Sequence, residues 1–206
     1  MKKKNTTSRS LQAKKTKSRI FHCATKLIDQ YGYDNVTIEE ISKKANVSIG
    51  AFYHYYESKS AIFSELYMKI DEYFKNEVAS LLVEEDIADN ILLFFRHYAR
   101  YNVERGYKHV RLLFETQNKL FVDKQRFLYV LFKRMLVDGR QSGQLSADYE
   151  IEYIEDYLLV LARGVVYDWI LKEGEFDLEE RMTEYIGVLG RIFRTDQKIR
   201  INAEFR

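Results

Sequence analysis

The chain has 206 residues, a mass of 24.6 kDa, 46% hydrophobic side chains and a formal net charge of +2. That is apolar material for one sizeable domain or two small ones, and a charge so nearly balanced names no polyanionic partner by itself. A single cysteine, Cys23, excludes an intrachain disulfide, and no run approaches the ~18 apolar residues that span a bilayer, so the expectation is a cytoplasmic chain with no membrane partner.

The distribution of charge says more than its sum. Met1 to Ile20 holds Lys2, Lys3, Lys4, Arg9, Lys14, Lys15, Lys17 and Arg19 and no carboxylate, the first being Asp29. Such an arm, expected to be flexible over 1–15, is either an electrostatic footprint for a polyanion or a solvated tail. The stretch after "MKKK" is polar, so no secretory leader is expected there. Proline is absent and glycine numbers nine, which suits long helices.

Helical periodicity then dominates. Ile20, Ala24, Leu27, Ile28 and Tyr31 form one apolar face, and Gly32 stops that helix. Thr37 and Glu40 make a capping box that starts a second helix, with Ile38, Ile41 and Ala45 inside. Ser48 is the N-cap of a short third helix carrying "GAFYHYY". Ser58 caps a fourth, expected over 58–80. Longer helices are expected near 87–103, 108–120, 122–140, 148–173 and 178–195, with 138–148 as the most loop-like segment. The fold class is all-α. The expected domains are a helix-turn-helix over 16–56 and a helical remainder over 57–206, with helix 58–80 as connector.

Two short helices joined by a tight turn, the second capped by serine, make a helix-turn-helix. Phe52 and Tyr56 turn inward onto Ile41 and Ala45. Ser48, Ile49, Gly50, Tyr53 and His54 are left outward, where a DNA major groove would lie. Gly50 lets the backbone approach, Ile49 suits a thymine methyl, and Tyr53 and His54 can donate to phosphates or base edges. Thr37 and Lys59, at the starts of helices two and four, are placed to hold backbone phosphates.

The segment Thr37 to Tyr67, "TIEEISKKANVSIGAFYHYYESKSAIFSELY", preceded by a helix ending in "YGYDNV", closely resembles the DNA-binding domain of TetR/AcrR-family transcriptional regulators. The resemblance is strong over about 16–67. One departure is Tyr56, where many members carry phenylalanine; it leaves the role of His54 open. The resemblance implies an all-helical homodimer on a double-stranded DNA operator. It also implies a ligand pocket among the middle helices, and a dimer interface built by the last two. The segment from Leu161 to Phe193 is similar, more loosely, to the ending of such proteins. Release of DNA by a small-molecule effector follows from the same resemblance.

The second domain is rich in rings. Tyr67, Phe94, His97, Tyr98, Tyr101, Phe114, Gln117, Tyr129 and Trp169 are the candidate pocket residues; aromatics at helical spacing equally make simple core. A pocket so lined would suit a hydrophobic or flat aromatic effector. The eighth helix carries one apolar stripe through Ile154, Leu158, Leu161, Val165 and Trp169 and another through Tyr157, Val160, Gly164 and Tyr167. The last helix carries Tyr185, Leu189 and the glycines Gly187 and Gly190, which are costly inside a helix. Tyr157, Leu161, Gly164, Tyr185, Gly187, Leu189 and Gly190 are therefore the candidate dimer interface. No phosphate loop, nucleophile motif or metal-ligand spacing appears, so neither an enzyme, a cofactor nor a metal site is expected. The favoured function is a ligand-responsive repressor. The alternative is a DNA-binding architectural or partner-controlled protein with no small ligand.

Overall fold

The computed structural model describes residues 8–115 and 121–195, apart from the side chains of residues 8, 63–68 and 115. The described residues form nine α-helices: α1 (Ser8–Tyr31), α2 (Ile38–Lys44), α3 (Ile49–Tyr55), α4 (Lys59–Tyr73), α5 (Ile87–Arg105), α6 (Tyr107–Glu115), α7 (Phe127–Gln141), α8 (Ile151–Leu171) and α9 (Leu178–Gly190). A π-helical turn, Phe74–Val78, follows α4, and a 3-10 turn, Arg191–Phe193, follows α9. None of the helices is long and apolar enough to cross a membrane.

The chain divides into two compact units at Tyr67 and Met68. In the first unit, the expected inner faces are the buried ones: Ile20, Ala24, Leu27 and Ile28 of α1, Ile41 of α2 with its C-cap Ala45, and Phe52 of α3. α1 begins earlier than a flexible arm over 1–15 would allow. Leu11, Gln12, Ala13, Lys14 and Lys15 are good helix formers with no breaker among them, so the helix runs back to Ser8.

In the second unit α5 packs most extensively on α9, and α8 packs on α6, α7 and α9. Phe74, Phe94, Phe95 and Phe132 are fully buried around α5. The expected loop over 138–148 begins only at Ser142, because α7 continues to Gln141. Gly139 lies in that last turn. A Cβ there would come within 2.6 Å of Ile87 Cγ1, so only glycine lets α7 approach the start of α5 this closely.

α7 starts at Phe127 rather than near 122. Its N-cap, Arg126, supplies no side-chain cap. Asp71 of α4 does so instead: its carboxylate accepts from Leu128 N at 3.0 Å and from the buried Arg126 Nε at 2.9 Å. Nothing in the local sequence announces a cap from 57 residues away.

Candidate nucleic-acid interface

The turn that aims α3 is built from local hydrogen bonds. Thr37 N donates to Glu40 Oε2 at 2.8 Å, and Glu40 N donates to Thr37 Oγ1 at 3.2 Å, a complete capping box. The Thr37 backbone N–H holds the Glu40 carboxyl below the usual carboxylate range. Asn46 takes φ of +51° at the end of α2, a conformation asparagine tolerates better than most residues. Val47 N then donates to Ser42 O at 3.0 Å. Ser48 Oγ caps α3 by accepting from Ala51 N at 3.1 Å.

Phe52 and Tyr56 are buried and anchor α3 from within. Ser48, Ile49, Gly50, Tyr53 and His54 are exposed together, Ile49 by 44% and Tyr53 by 52%. A Cβ on Gly50 would meet only Ser48 Oγ, at 4.0 Å. The fold therefore does not need glycine there, although glycine weakens a helix. Large side chains left in water on a capped, anchored helix form a surface for something outside the unit.

Lys59 has partners that sequence reasoning missed. Its Nζ donates to Val36 O at 2.8 Å and to Tyr33 O, and lies 4.1 Å from the Tyr33 ring centroid. Burial pulls the ammonium below its ordinary value, against the opposing pull of Asp34 and Glu40. Two of its three donors thus tie α4 to the α1–α2 connection, so Lys59 is first of all a staple. No sequence pattern marks a lysine that will reach carbonyls 23 and 26 residues earlier.

Among the described candidate effector residues, His97 and Tyr101 share a cleft, and others lie in the packed core. Tyr67's side chain and Gln117 lie outside the described residues. Phe94 packs at 4.7 Å between centroids on both Phe74 and Phe132. Tyr98, Tyr129 and Trp169 are buried in the same core, and Phe114 packs partly buried against it. Tyr129 Oη bonds Phe121 O and accepts from Arg163 Nη1 at 3.0 Å. His97 and Tyr101 do line a cleft, of about 500 Å³, with Tyr73, Arg100 and Glu104. Tyr73 Oη and His97 Nδ1 are 2.6 Å apart there, and burial holds the imidazole below its ordinary value. A larger cleft, about 630 Å³, lies between residues 79–90 and α7, lined by Leu82, Val83, Phe127, Leu131 and Met135. It contains none of the candidate pocket residues.

Residues 20–66, which contain α2 and α3, match the family described as "Bacterial regulatory proteins, tetR family". Those residues carry a TetR-family domain. TetR-family relatives extend the likeness over most of its length. The "Probable acrEF/envCD operon repressor" of Escherichia coli (strain K12) is 19% identical over 202 residues, covering 91% of each chain. NalD, the secondary repressor of the MexAB-OprM multidrug efflux pump in Pseudomonas aeruginosa, superposes with a TM-score of 0.66 at 17% identity, covering 90% of this chain and 100% of NalD. FadR from Bacillus subtilis, in complex with stearoyl-CoA, gives 0.61 at 16% identity, covering 84% and 98%. At such identities the two structures speak for the fold.

In this TetR-family fold the candidate interface residues separate. Gly164 and Gly190 face open space, with nothing within 4 Å of an added Cβ, whereas Gly187 meets Leu92 Cδ2 of α5 at 3.5 Å. An added Cβ at Gly187 would make only ordinary van der Waals contact, so the α5–α9 packing does not require glycine there. Tyr185 is exposed, while Leu189 is only partly so. On α8 the first stripe turns inward, with Leu161 partly buried. The second stays outward: Val160, Gly164 and Tyr167 are exposed and Tyr157 half-buried.

Proposed function

We propose that this chain is a transcriptional repressor that binds a palindromic operator through α3 of each protomer of a homodimer, in the cytoplasm. Residues 1–67 serve as the DNA-binding part, and α5–α9 as the regulatory and dimerisation part. The observation that carries the reading is the exposed face of α3, Ser48, Ile49, Gly50, Tyr53 and His54, held by two side-chain caps and a buried Phe52. Ile49, Tyr53 and His54 supply apolar and hydrogen-bonding groups suited to base edges and phosphates. Thr37, exposed at the start of α2, is a further phosphate ligand once its hydroxyl turns from Glu40 Oε2, to which it donates at 3.0 Å.

The homodimer is supported by the outward stripe of α8. Val160 is 58% exposed and Leu171 64%, with Tyr153, Tyr157 and Tyr167 on the same side; α9 adds Val188 and Tyr185. A single helix pair showing that many large apolar side chains marks an association surface. The same surface from a second copy is its natural cover, and the twofold axis sets the two α3 helices about 34–36 Å apart.

The effector is a small apolar or aromatic molecule. Similarity to a regulator solved with stearoyl-CoA and to NalD, the secondary repressor of a multidrug efflux pump, supports that class. The ring-rich interior of α5–α8 is where it would enter, by displacing packed side chains, and the His97–Tyr101 cleft is an existing opening on that interior.

The test is selection from a random duplex pool with the purified protein. An enriched inverted repeat with half-sites about 10 base pairs apart, centre to centre, is expected. Anisotropy titration with acyl-CoA thioesters and planar aromatic compounds should then find one class that releases the DNA. Failure to enrich any sequence, with the fold intact, overturns the reading.

A further inference from the structure

The larger cleft, about 630 Å³, between residues 79–90 and α7 is a built feature of the second unit. Its outer wall, the connection from Ala79 to Asp86, is fixed by two side chains. Asn90, buried on α5, accepts from Glu84 N at 3.1 Å and donates to Glu84 O at 2.7 Å. Gln144 donates to Glu85 O at 3.0 Å and accepts from Ile87 N at 2.7 Å. Yet Val83 on that wall is 76% exposed, and Val130 on the α7 side 52%. Leu82, Phe127 and Leu131 are only partly buried. Apolar side chains left in water on so firmly held a wall mark a surface with an occupant. The charged residues of the cleft are Glu84, Glu85, Asp138 and Arg134, which make its rim acidic.

The chain itself leads to this cleft. Beyond α9, Arg194 is extended and pairs with Leu145 in an antiparallel bridge. Ser146 N donates to Phe193 O at 2.8 Å, and Thr195 N to Gln144 O at 3.2 Å. Thr195 Oγ1 donates to Gly143 O at 2.7 Å, and Arg194 Nη1 to the two carboxylate oxygens of Asp86 at 2.8 and 2.9 Å. Antiparallel pairing aims the backbone at Thr195 past Gly143 to Ser142, and Ser142 and Gln144 line the cleft. Residues 196–206, which follow, lie outside the described residues; their sequence is "DQKIRINAEFR". Ile199, Ile201, Ala203 and Phe205 alternate there with Lys198, Arg200, Asn202, Glu204 and Arg206. That is the pattern of an extended segment with one apolar face. At about 3.3 Å per residue such a segment reaches about 36 Å. The stretch of α7 from Ser142 back to Phe127 measures about 22 Å, at about 1.5 Å per residue.

We propose that residues 196–206 turn back along α7 and occupy this cleft within the same chain. Ile199, Ile201 and Phe205 cover Val83, Val130 and Leu131. Lys198 and Arg200 face the carboxylates of Glu84, Glu85 and Asp138. Because Thr195 is already bonded at the edge of the cleft, the segment is present there at an effective concentration of about millimolar, and modest contacts suffice to hold it. The segment closes the cleft to small apolar compounds and leaves the His97–Tyr101 cleft open.

The first test replaces Phe205 by the photoreactive p-benzoyl-phenylalanine in the full chain, mixed with an equal amount of the same protein labelled with nitrogen-15. Irradiation and peptide mass spectrometry should find cross-links from position 205 to residues 79–90 or to α7, with both peptides carrying the same isotope. Mixed-isotope cross-links would give the cleft to the segment of a second copy and overturn the proposal. Cross-links to other helices, or none, overturn it as well. The second test reads apolar surface with the dye ANS. A chain ending at Thr195, and the full chain carrying Ile199→Ser, Ile201→Ser and Phe205→Ser, should each raise ANS fluorescence by about twofold or more, with circular dichroism unchanged. Adding Val83→Asp and Val130→Asp to the shortened chain should remove that gain, which assigns it to this cleft. Dye binding equal to wild type in both the shortened chain and the triple variant overturns the proposal. Neither readout involves DNA, so the outcome is independent of the reading of α3.

Discussion

Two aromatic-rich helices meet opposite fates in this chain. α3 carries Phe52, Tyr53, His54 and Tyr55 in succession and buries only Phe52. α5 carries Phe94, Phe95, His97, Tyr98 and Tyr101 and buries all five. The side-chain types barely differ. α3 spans seven residues held by caps at its ends, whereas α5 spans nineteen and is surrounded by α6, α7, α8 and α9. Consecutive rings on a short helix point all round it, so some must face out. Rings on a long helix in the middle of a bundle find a neighbour on every side. Ring content alone therefore says nothing about binding; the number of elements packed around the helix decides.

The sharpest way to break this comparison is to truncate one ring from each helix. Phe94→Ala removes a fully buried ring that touches Phe74, Phe95 and Phe132. A loss of about 3–5 kcal/mol in denaturant unfolding is expected. Were Phe94 lining a ready-made pocket, the cost would be far smaller, because a side chain facing a void has fewer contacts to lose. Tyr53→Ala removes a ring 52% exposed. Its stability should stay within about 0.5 kcal/mol, while binding to a selected operator falls by roughly 1–3 kcal/mol per half-site. A Tyr53→Ala protein that binds the operator normally would return α3 to the status of an ordinary packing helix.

Most of the first unit was legible in the sequence because its signals are local. The Thr37–Glu40 box and the Ser48 cap each join residues three positions apart, and Phe52 takes its inward place from its spacing of four after Ser48. The features that the sequence does not announce depend on long-range partners. Asp71 caps α7, and Lys59 binds the carbonyls of Tyr33 and Val36. The pocket list illustrates the same limit. Periodicity places Phe94, Tyr98, Tyr129 and Trp169 on inner faces, but only the packed structure shows that they belong to one buried cluster.

Lys59 offers a smaller test at the edge of the α3 region. Lys59→Met keeps the length of the side chain and removes its donors. The Tyr33 and Val36 carbonyls then lose the ammonium that they accept from, at a cost of about 1–2 kcal/mol. Because the ammonium is already committed to the fold, the salt slope of DNA binding should change by less than about one unit, the value for one phosphate contact. A stable variant with a slope reduced by a full unit would restore Lys59 to the phosphate role its position suggests.

The smallest effect is expected where the bundle interior holds a charge that nothing in the proposed function uses. Glu155 of α8 has a side chain 1% exposed, and its Oε2 makes no hydrogen bond. The Lys124 ammonium stands 3.8 Å away and is already paired with Asp156 at 2.9 Å. Burial therefore pushes the Glu155 carboxyl above its ordinary range, with Lys124 opposing. A carboxyl whose folded value lies above its unfolded one binds its proton more tightly in the native state. Native stability then falls as pH rises through the raised value, and the penalty is complete once both states are ionised. Glu155→Gln removes the charge and keeps the shape. At pH 7 the variant should be more stable by about 1 kcal/mol. As pH falls the advantage should shrink, and it should vanish below about 4, where the wild-type carboxyl is protonated in both states. Urea denaturation at several pH values measures this directly. An advantage that stays constant with pH would assign the gain to packing, and a loss at pH 7 would mean that the carboxylate is holding Lys124 in place for the α7–α8 packing.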